Sequence, residues 1–259
     1  MMMIMLTSTL SLLSFAVGVA AASDYPELST SKAYRLYVNV TDLSRDFNPP
    51  VHGLEIGRVR SGLTTVHFRA VTVPPNAGSV FFQNPHPEFF NESNAPFWTN
   101  TLTMGEHHVQ GLQLISKNAV PGDDDSWYGP HFNVTMNVGE GEYGQTLNPE
   151  GPIAYAYPSV SGISMEYLVC NTTFGEREKG NYALDALHWT NRGPDYSLHP
   201  PADCLRVKLL PQCDTVDKIV AGEGDQEGKE ELALYLAKAE NVRCYHDVRG
   251  IDWKKYKNY

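Results

Sequence analysis

Four cysteines, Cys170, Cys204, Cys213 and Cys244, are the residues whose type and spacing most directly define a chemistry. An even count in an exported chain reads as two disulfides, for which three connectivities exist. Cys170 ends one predicted strand and Cys204 opens another, so a strand-to-strand bridge between them is natural. That leaves Cys213 to pair with Cys244. A zinc site is the competing chemistry, but no Cys-x-x-Cys or closely spaced histidine pair supports it. With both bridges formed, no thiol remains as a nucleophile.

Other polar clusters assemble less. His107-His108 follows Gly105-Glu106, and neighbours on a strand point to opposite faces, so the two do not share one metal ion from regular β structure. Asp123-Asp124-Asp125 offers oxygen ligands without the spaced acidic pattern of a calcium loop, and reads as a solvated turn after Pro121-Gly122. Glycoside hydrolysis needs two carboxylates about 5–10 Å apart. Glu140, Glu142, Glu166 and Asp185 qualify by type alone. Ser159-Val160-Ser161-Gly162 is not a nucleophile elbow. The acidic Gly139–Gly144 run would repel phosphate. Trp98, Trp127, Trp189 and Trp253 could stack on sugar rings, although large aromatics in β proteins mostly pack in cores or at edges. No cofactor or metal is expected.

Four Asn-x-Ser/Thr sequons begin at Asn39, Asn91, Asn133 and Asn171. Around Asn39, residues Leu36, Val38 and Val40 share one strand face and Arg35, Tyr37 and Asn39 the other. Around Asn133, Phe132, Val134, Met136 and Val138 point one way and the asparagine the other. The period of two places both asparagines on a solvent face able to carry a glycan.

The start of the chain agrees with export. Met1 to Ala22 carries no charge, contains the apolar run Leu10 to Val19, and closes on Ala20-Ala21-Ala22, as in a cleaved signal peptide. The run is short against the ~20 apolar residues of a membrane span. The C-terminus is polar, without a lipid-anchor tail. Secretion to the extracellular space is therefore expected, with no membrane span. A net charge of −10 disfavours nucleic acid as a partner. The acidity lies in residues 23–204, with 10 basic and 20 acidic side chains, whereas residues 205–259 balance at 10 and 10.

The elements that must hold these residues are strands. Asn48-Pro49-Pro50, Pro74–Gly78, Pro121-Gly122-Asp123 and Asn148–Pro152 punctuate short runs rich in β-branched and aromatic residues. Strands are predicted near 33–41, 54–60, 64–72, 79–83, 109–115, 132–138, 153–157, 163–170, 182–189 and 204–210. One helix is predicted over Gly228–Asn241, where Leu232, Tyr235, Leu236 and Ala239 form a stripe and Glu230 and Glu231 suit the N-terminal dipole. The fold class is all-β, an antiparallel β-sandwich with a C-terminal amphipathic helix. The domain reading is a signal peptide over 1–22, a β-sandwich over 23–213, and a helical extension over 214–259 docked on it.

Three stretches carry a resemblance. They are Tyr34 to Glu55 with its Val38-Asn39-Val40-Thr41-Asp42 core, Glu166-Tyr167-Leu168-Val169-Cys170-Asn171, and Cys204 to Cys213. Together they resemble a family of uncharacterised secreted proteins of filamentous fungi, a domain of unknown function, over about 32–213. The resemblance implies export and a β-rich body and no particular activity.

Export, sequons and the lack of an assembled catalytic motif point away from an enzyme and towards a secreted glycoprotein of the extracellular space or cell wall, acting by binding or display. Its ligand would be extracellular, either a glycan or a host protein. The alternatives are a secreted carbohydrate-active hydrolase and a secreted effector that binds a host protein.

Overall fold

A computed structural model describes residues 25–60, 67–85, 97–102, 109–116, 131–138, 146–147, 152–160, 163–171, 182–188, 200–217 and 226–256. Fifteen strands follow in order: β1 (Ser29–Ser31), β2 (Ala33–Val40), β3 (Glu55–Arg60), β4 (His67–Val73), β5 (Phe81–Pro85), β6 (Phe97–Leu102), β7 (Val109–Ser116) and β8 (His131–Val138) come first. Next come β9 (Thr146–Leu147), β10 (Ala156–Tyr157), β11 (Ser159–Val160), β12 (Ile163–Cys170), β13 (Ala183–His188), β14 (Cys204–Asp214) and β15 (Val242–Cys244). Among the described residues the α-helix α1 (Gln226–Ala237) lies between β14 and β15. The fold is all-β and antiparallel, as the alternating apolar runs predict.

The pairings close on themselves. From β2 they run to β14, β12, β13, β8, β7, β6 and β5, and then return to β2 through Tyr34 and Phe81. The hairpin of β3 and β4 spans this circuit, joining β2 on one side and β8 and β13 on the other. Closure leaves few unpaired edges to template aggregation.

The inner face holds one large apolar cluster. Leu36, Val38 and Val40 of β2 meet Phe132, Val134 and Met136 of β8, Val169 of β12, Leu184 of β13, and Leu205, Val207 and Leu209 of β14. Burying each such side chain contributes roughly 1.5–3 kcal/mol. Outside it, Leu232 of α1 and Ala239 pack on Ala33, Phe82 and Val109, with Tyr235 and Leu236 alongside. The predicted helix is thus present, shifted by a few residues towards the N-terminus. A third cluster joins Tyr37 and Leu210 of the sheet's outer face to Tyr245, Val248, Ile251 and Trp253 near the C-terminus.

That last cluster overturns one expectation. The alternation puts Asn39 on a solvent face, but it is only 4% exposed. The alternation in β2 is real, yet both of its faces are covered: one by the core and one by the chain around Val248, Ile251 and Trp253.

Candidate functional site

Cysteines first: Cys170 is bridged to Cys204 and Cys213 to Cys244. Cys170 and Cys204 are directly opposed on β12 and β14, with Cα atoms 4.0 Å apart. Cys213 lies on β14 and Cys244 on β15, so this bridge staples the chain after α1 to the long strand. No cysteine is free. Cys170, Cys204 and Asp185 place their ligand atoms within 4.8 Å of one another, but the sulfurs are committed to each other and the carboxylate is held by an arginine.

The sequons are placed differently from one another. Asn171 is exposed just beyond Cys170, Asn133 is half-buried on β8, and Asn39 is buried. Asn91 lies outside the described residues, as do the segment 1–22, His107, His108, Asp123 to Asp125, Glu140, Glu142, Trp127 and Trp189.

The candidate carboxylates do not assemble as a hydrolytic pair. Asp185 is fully buried, and the Arg69 guanidinium donates to it and also to the Val134 carbonyl at 2.9 Å. Arg69 on β4 is 6% exposed, because Asp185 from β13 gives its charge a partner inside. Glu166 sits at the surface, 3.4 Å from Nε of Arg206.

A second charged cluster carried no motif. Glu55 opens β3 and is fully buried. Its carboxylate accepts from the Tyr37 hydroxyl at 2.6 Å, from Arg35 at 3.0 Å, and from the Asn76 and Gly78 backbone N–H groups, each at 2.8 Å. Arg35 donates onward to Asp214 at 2.7 Å. Local sequence builds this cradle. Pro74 starts a turn that Ala77 N–H closes at 3.1 Å, and Asn76 takes φ 70°, a conformation asparagine tolerates well. Gly78 comes so close to the carboxylate that an added Cβ would lie 2.6 Å from Oε2. Burial pushes the Glu55 carboxyl up, but the Asn76, Tyr37, Gly78 and Arg35 hydrogen bonds outweigh it and hold the group below its ordinary value. Burial, then the bond to Glu55, pushes Tyr37 up to about 12. The only sequence signal was the pair of charges, Arg35 and Glu55, set against otherwise apolar strand positions.

An open concavity lies elsewhere among the described residues. A cleft of about 350 Å³ is lined by Val40, Thr41, Asp42, Arg45, Pro200, Leu205 and Arg206. It sits where β2 runs into the short 3-10 turn Leu43–Arg45, capped by the Asp42 carboxylate accepting from Ser44 N–H at 3.1 Å. Hydroxyl, carboxylate and guanidinium groups face one space. That mixture can meet a hydroxyl-rich ligand with both donors and acceptors.

These features define an all-β, doubly disulfide-bridged protein whose buried charges brace the fold. The chain belongs to the fungal family described as "Domain of unknown function (DUF7907)", whose model matches residues 31–213. It is also 23% identical over 243 residues to "Antigenic protein SchS34" of Stachybotrys chartarum, which covers 90% of this chain and 94% of that protein. No solved structure matches it.

Proposed function

We propose that the protein is a secreted glycoprotein that works outside the cell by binding or display. The observation that carries this reading is the state of the buried carboxylates: Glu55 accepts from Arg35, Tyr37 and two backbone N–H groups, and Asp185 is paired with Arg69. A group so engaged braces a fold and has no proton to exchange with a substrate. Glu166, the remaining described candidate, is partnered by Arg206. Export is supported by the two bridges, which persist in oxidising compartments, and by the apolar leader. A relative called an antigenic protein is in keeping with it.

The ligand we assign to the cleft at Asp42, Arg45 and Arg206 is a glycan, because the lining is polar and open. The effector reading has less support: the exposed large apolar side chains among the described residues, Leu43, Ile115 and Leu234, lie on three separate elements. The test is a panel of cell-wall glycans screened for both retention and turnover. Retention without product, weakened at least tenfold by Arg206→Ala, supports the proposal. The Arg206–Glu166 ion pair lies at the surface, where such pairs contribute about 0–1 kcal/mol, and a melting curve of the variant checks that it folds. Release of product from any glycan, or no retention at all, would sink it.

A further inference from the structure

Three arginines are wholly or partly buried on the strands that span the circuit and on β2: Arg35, Arg58 and Arg69. Two are answered by acids. Arg35 lies between Glu55 and Asp214, and Arg69 meets Asp185. Arg58, on β3, has no carboxylate partner among the described residues. Its guanidinium donates to Gln110 Oε1 and lies 5.0 Å from the centre of the Phe68 ring.

Gln110 makes the arrangement more one-sided. It sits on β7, fully buried, and its Nε2 has no hydrogen-bond partner. Its carbonyl oxygen is consumed by Arg58, so what remains free at this spot is all donor: the other guanidinium N–H groups and both amide hydrogens. Arg58 pairs with Ala70, a core residue, so it points to the inner side of the sheet. Arg60 lies two residues on, on the same face of β3, and is exposed. The donors thus lead from a buried amide, through a half-buried guanidinium, to a second cation at the surface. Burial pushes the Arg58 guanidinium down to about 10, as expected for a cation that has lost water without gaining an anion.

Buried polar groups in folded proteins are almost always paired, and a buried cation without an anion is costly. In a chain of net charge −10 there is no shortage of acids to supply one. We propose that Arg58 and Gln110 form a binding site for the oxyanion group of an extracellular ligand, a carboxylate, sulfate or phosphate, with Arg60 at its entrance. Guanidinium N–H groups match the paired oxygens of such groups, and the Gln110 amide supplies a further donor. This site shares no residue with the cleft at Arg206, so either assignment can fail without the other.

The test uses the secreted full-length protein, with sodium glucuronate, sulfate and phosphate titrated separately by calorimetry and by thermal melting in chloride buffer. At least one anion is expected to bind saturably, one per chain, and to raise the melting temperature; the arm that does so identifies the oxyanion. Gln110→Glu places a carboxylate of the same shape beside Arg58. It is expected to melt higher than the parent and to lose anion binding at least tenfold, because the site is filled from within. Arg58→Met is expected to lose binding to the same extent, because the guanidinium is gone. The proposal is overturned if none of the three anions binds saturably. It is equally overturned if Gln110→Glu or Arg58→Met binds as the parent does.

Discussion

Replacing Glu55 by glutamine tests whether the buried charges brace this fold. The two carboxylate oxygens accept in pairs: Oε1 from Tyr37 and Asn76, Oε2 from Arg35 and Gly78. A carboxamide has one oxygen and one NH₂ group. With its NH₂ on the Oε2 side it faces the Arg35 and Gly78 donors. Turned round, it faces the Asn76 N–H while the Tyr37 hydroxyl turns to accept and Arg35 is left with a neutral acceptor, so either way two bonds are lost or weakened. Hydrogen bonds to a charged group contribute roughly 1.5–3 kcal/mol each. Two lost bonds set a range of about 3–6 kcal/mol on that scale. Arg35 keeps Asp214 at 2.7 Å, so its charge is not stranded and the upper end is trimmed. The expected loss is about 3–5 kcal/mol, the range found when a buried pair loses one partner. For a chain of this length that is a fall of roughly 6–20 °C in melting temperature. Urea unfolding followed by near-ultraviolet circular dichroism measures it. The pH dependence adds a sign. Glu55 is held below its ordinary value in the folded state. Its contribution is therefore complete above the unfolded carboxylate value of about 4.3, and is lost as pH falls through the lower folded value. The gap between parent and Glu55→Gln should be constant from neutrality down to mildly acid pH and then close. A loss under about 1 kcal/mol at neutral pH, or a gap that does not narrow in acid, would refute the reasoning.

Three further outcomes follow from the same geometry. Replacing Cys213 and Cys244 together by serine opens a bridge between residues 31 apart and should cost about 3–4 kcal/mol; limited proteolysis should then cut near α1 before it cuts the sheet, and uniform cleavage along the chain would contradict this. Arg69→Met leaves Asp185 buried without its cation and should cost roughly 3–5 kcal/mol, whereas Arg69→Met with Asp185→Leu should recover most of the loss in denaturant midpoint. Among the described sequons, Asn171 should carry a glycan and Asn39 should not, because the first is exposed and the second buried; intact mass should drop for Asn171→Gln and stay unchanged, beyond the substitution itself, for Asn39→Gln.

The strands were legible because their signal is local. Every second residue in Phe132-Asn133-Val134-Thr135-Met136 is apolar, and the structure buries that set against the core. The helix was legible for the same reason, from Leu232, Tyr235, Leu236 and Ala239. Closure of the pairings was not, because β5 meets β2 through Tyr34 and Phe81, and nothing in either strand names its partner. Arg69 and Asp185 are separated by 116 residues, and neither has a local feature that marks it as paired. The Glu55 cradle was half visible. Pro74 to Gly78 reads as a turn in any sequence, but that its N–H groups are spent on a carboxylate at the start of β3 depends on the hairpin register.

Asn39 shows why a period of two cannot by itself assign a solvent face. Alternation states that two sides of a strand differ; it does not state what lies against each. On β2 the polar side carries Arg35, Tyr37 and Asn39, and each meets chain that is distant in sequence. Arg35 uses Glu55 and Asp214. Tyr37 uses Glu55, with Gln212 Nε2 3.4 Å from its hydroxyl, and its ring meets the Arg249 guanidinium at 5.8 Å. Asn39 is paired with Lys208 across the ladder and lies beside His52, Val248, Ile251 and Trp253. The covering chain is held there by Tyr245, whose backbone N–H donates to the Pro211 carbonyl at 2.9 Å and whose hydroxyl accepts from Ala154 N–H at 2.9 Å. The neighbouring Cys213–Cys244 bridge fixes the same crossing covalently. A strand face that looks ready for a glycan is thus closed by chain some two hundred residues further on, and that crossing is what decides which sequon remains available.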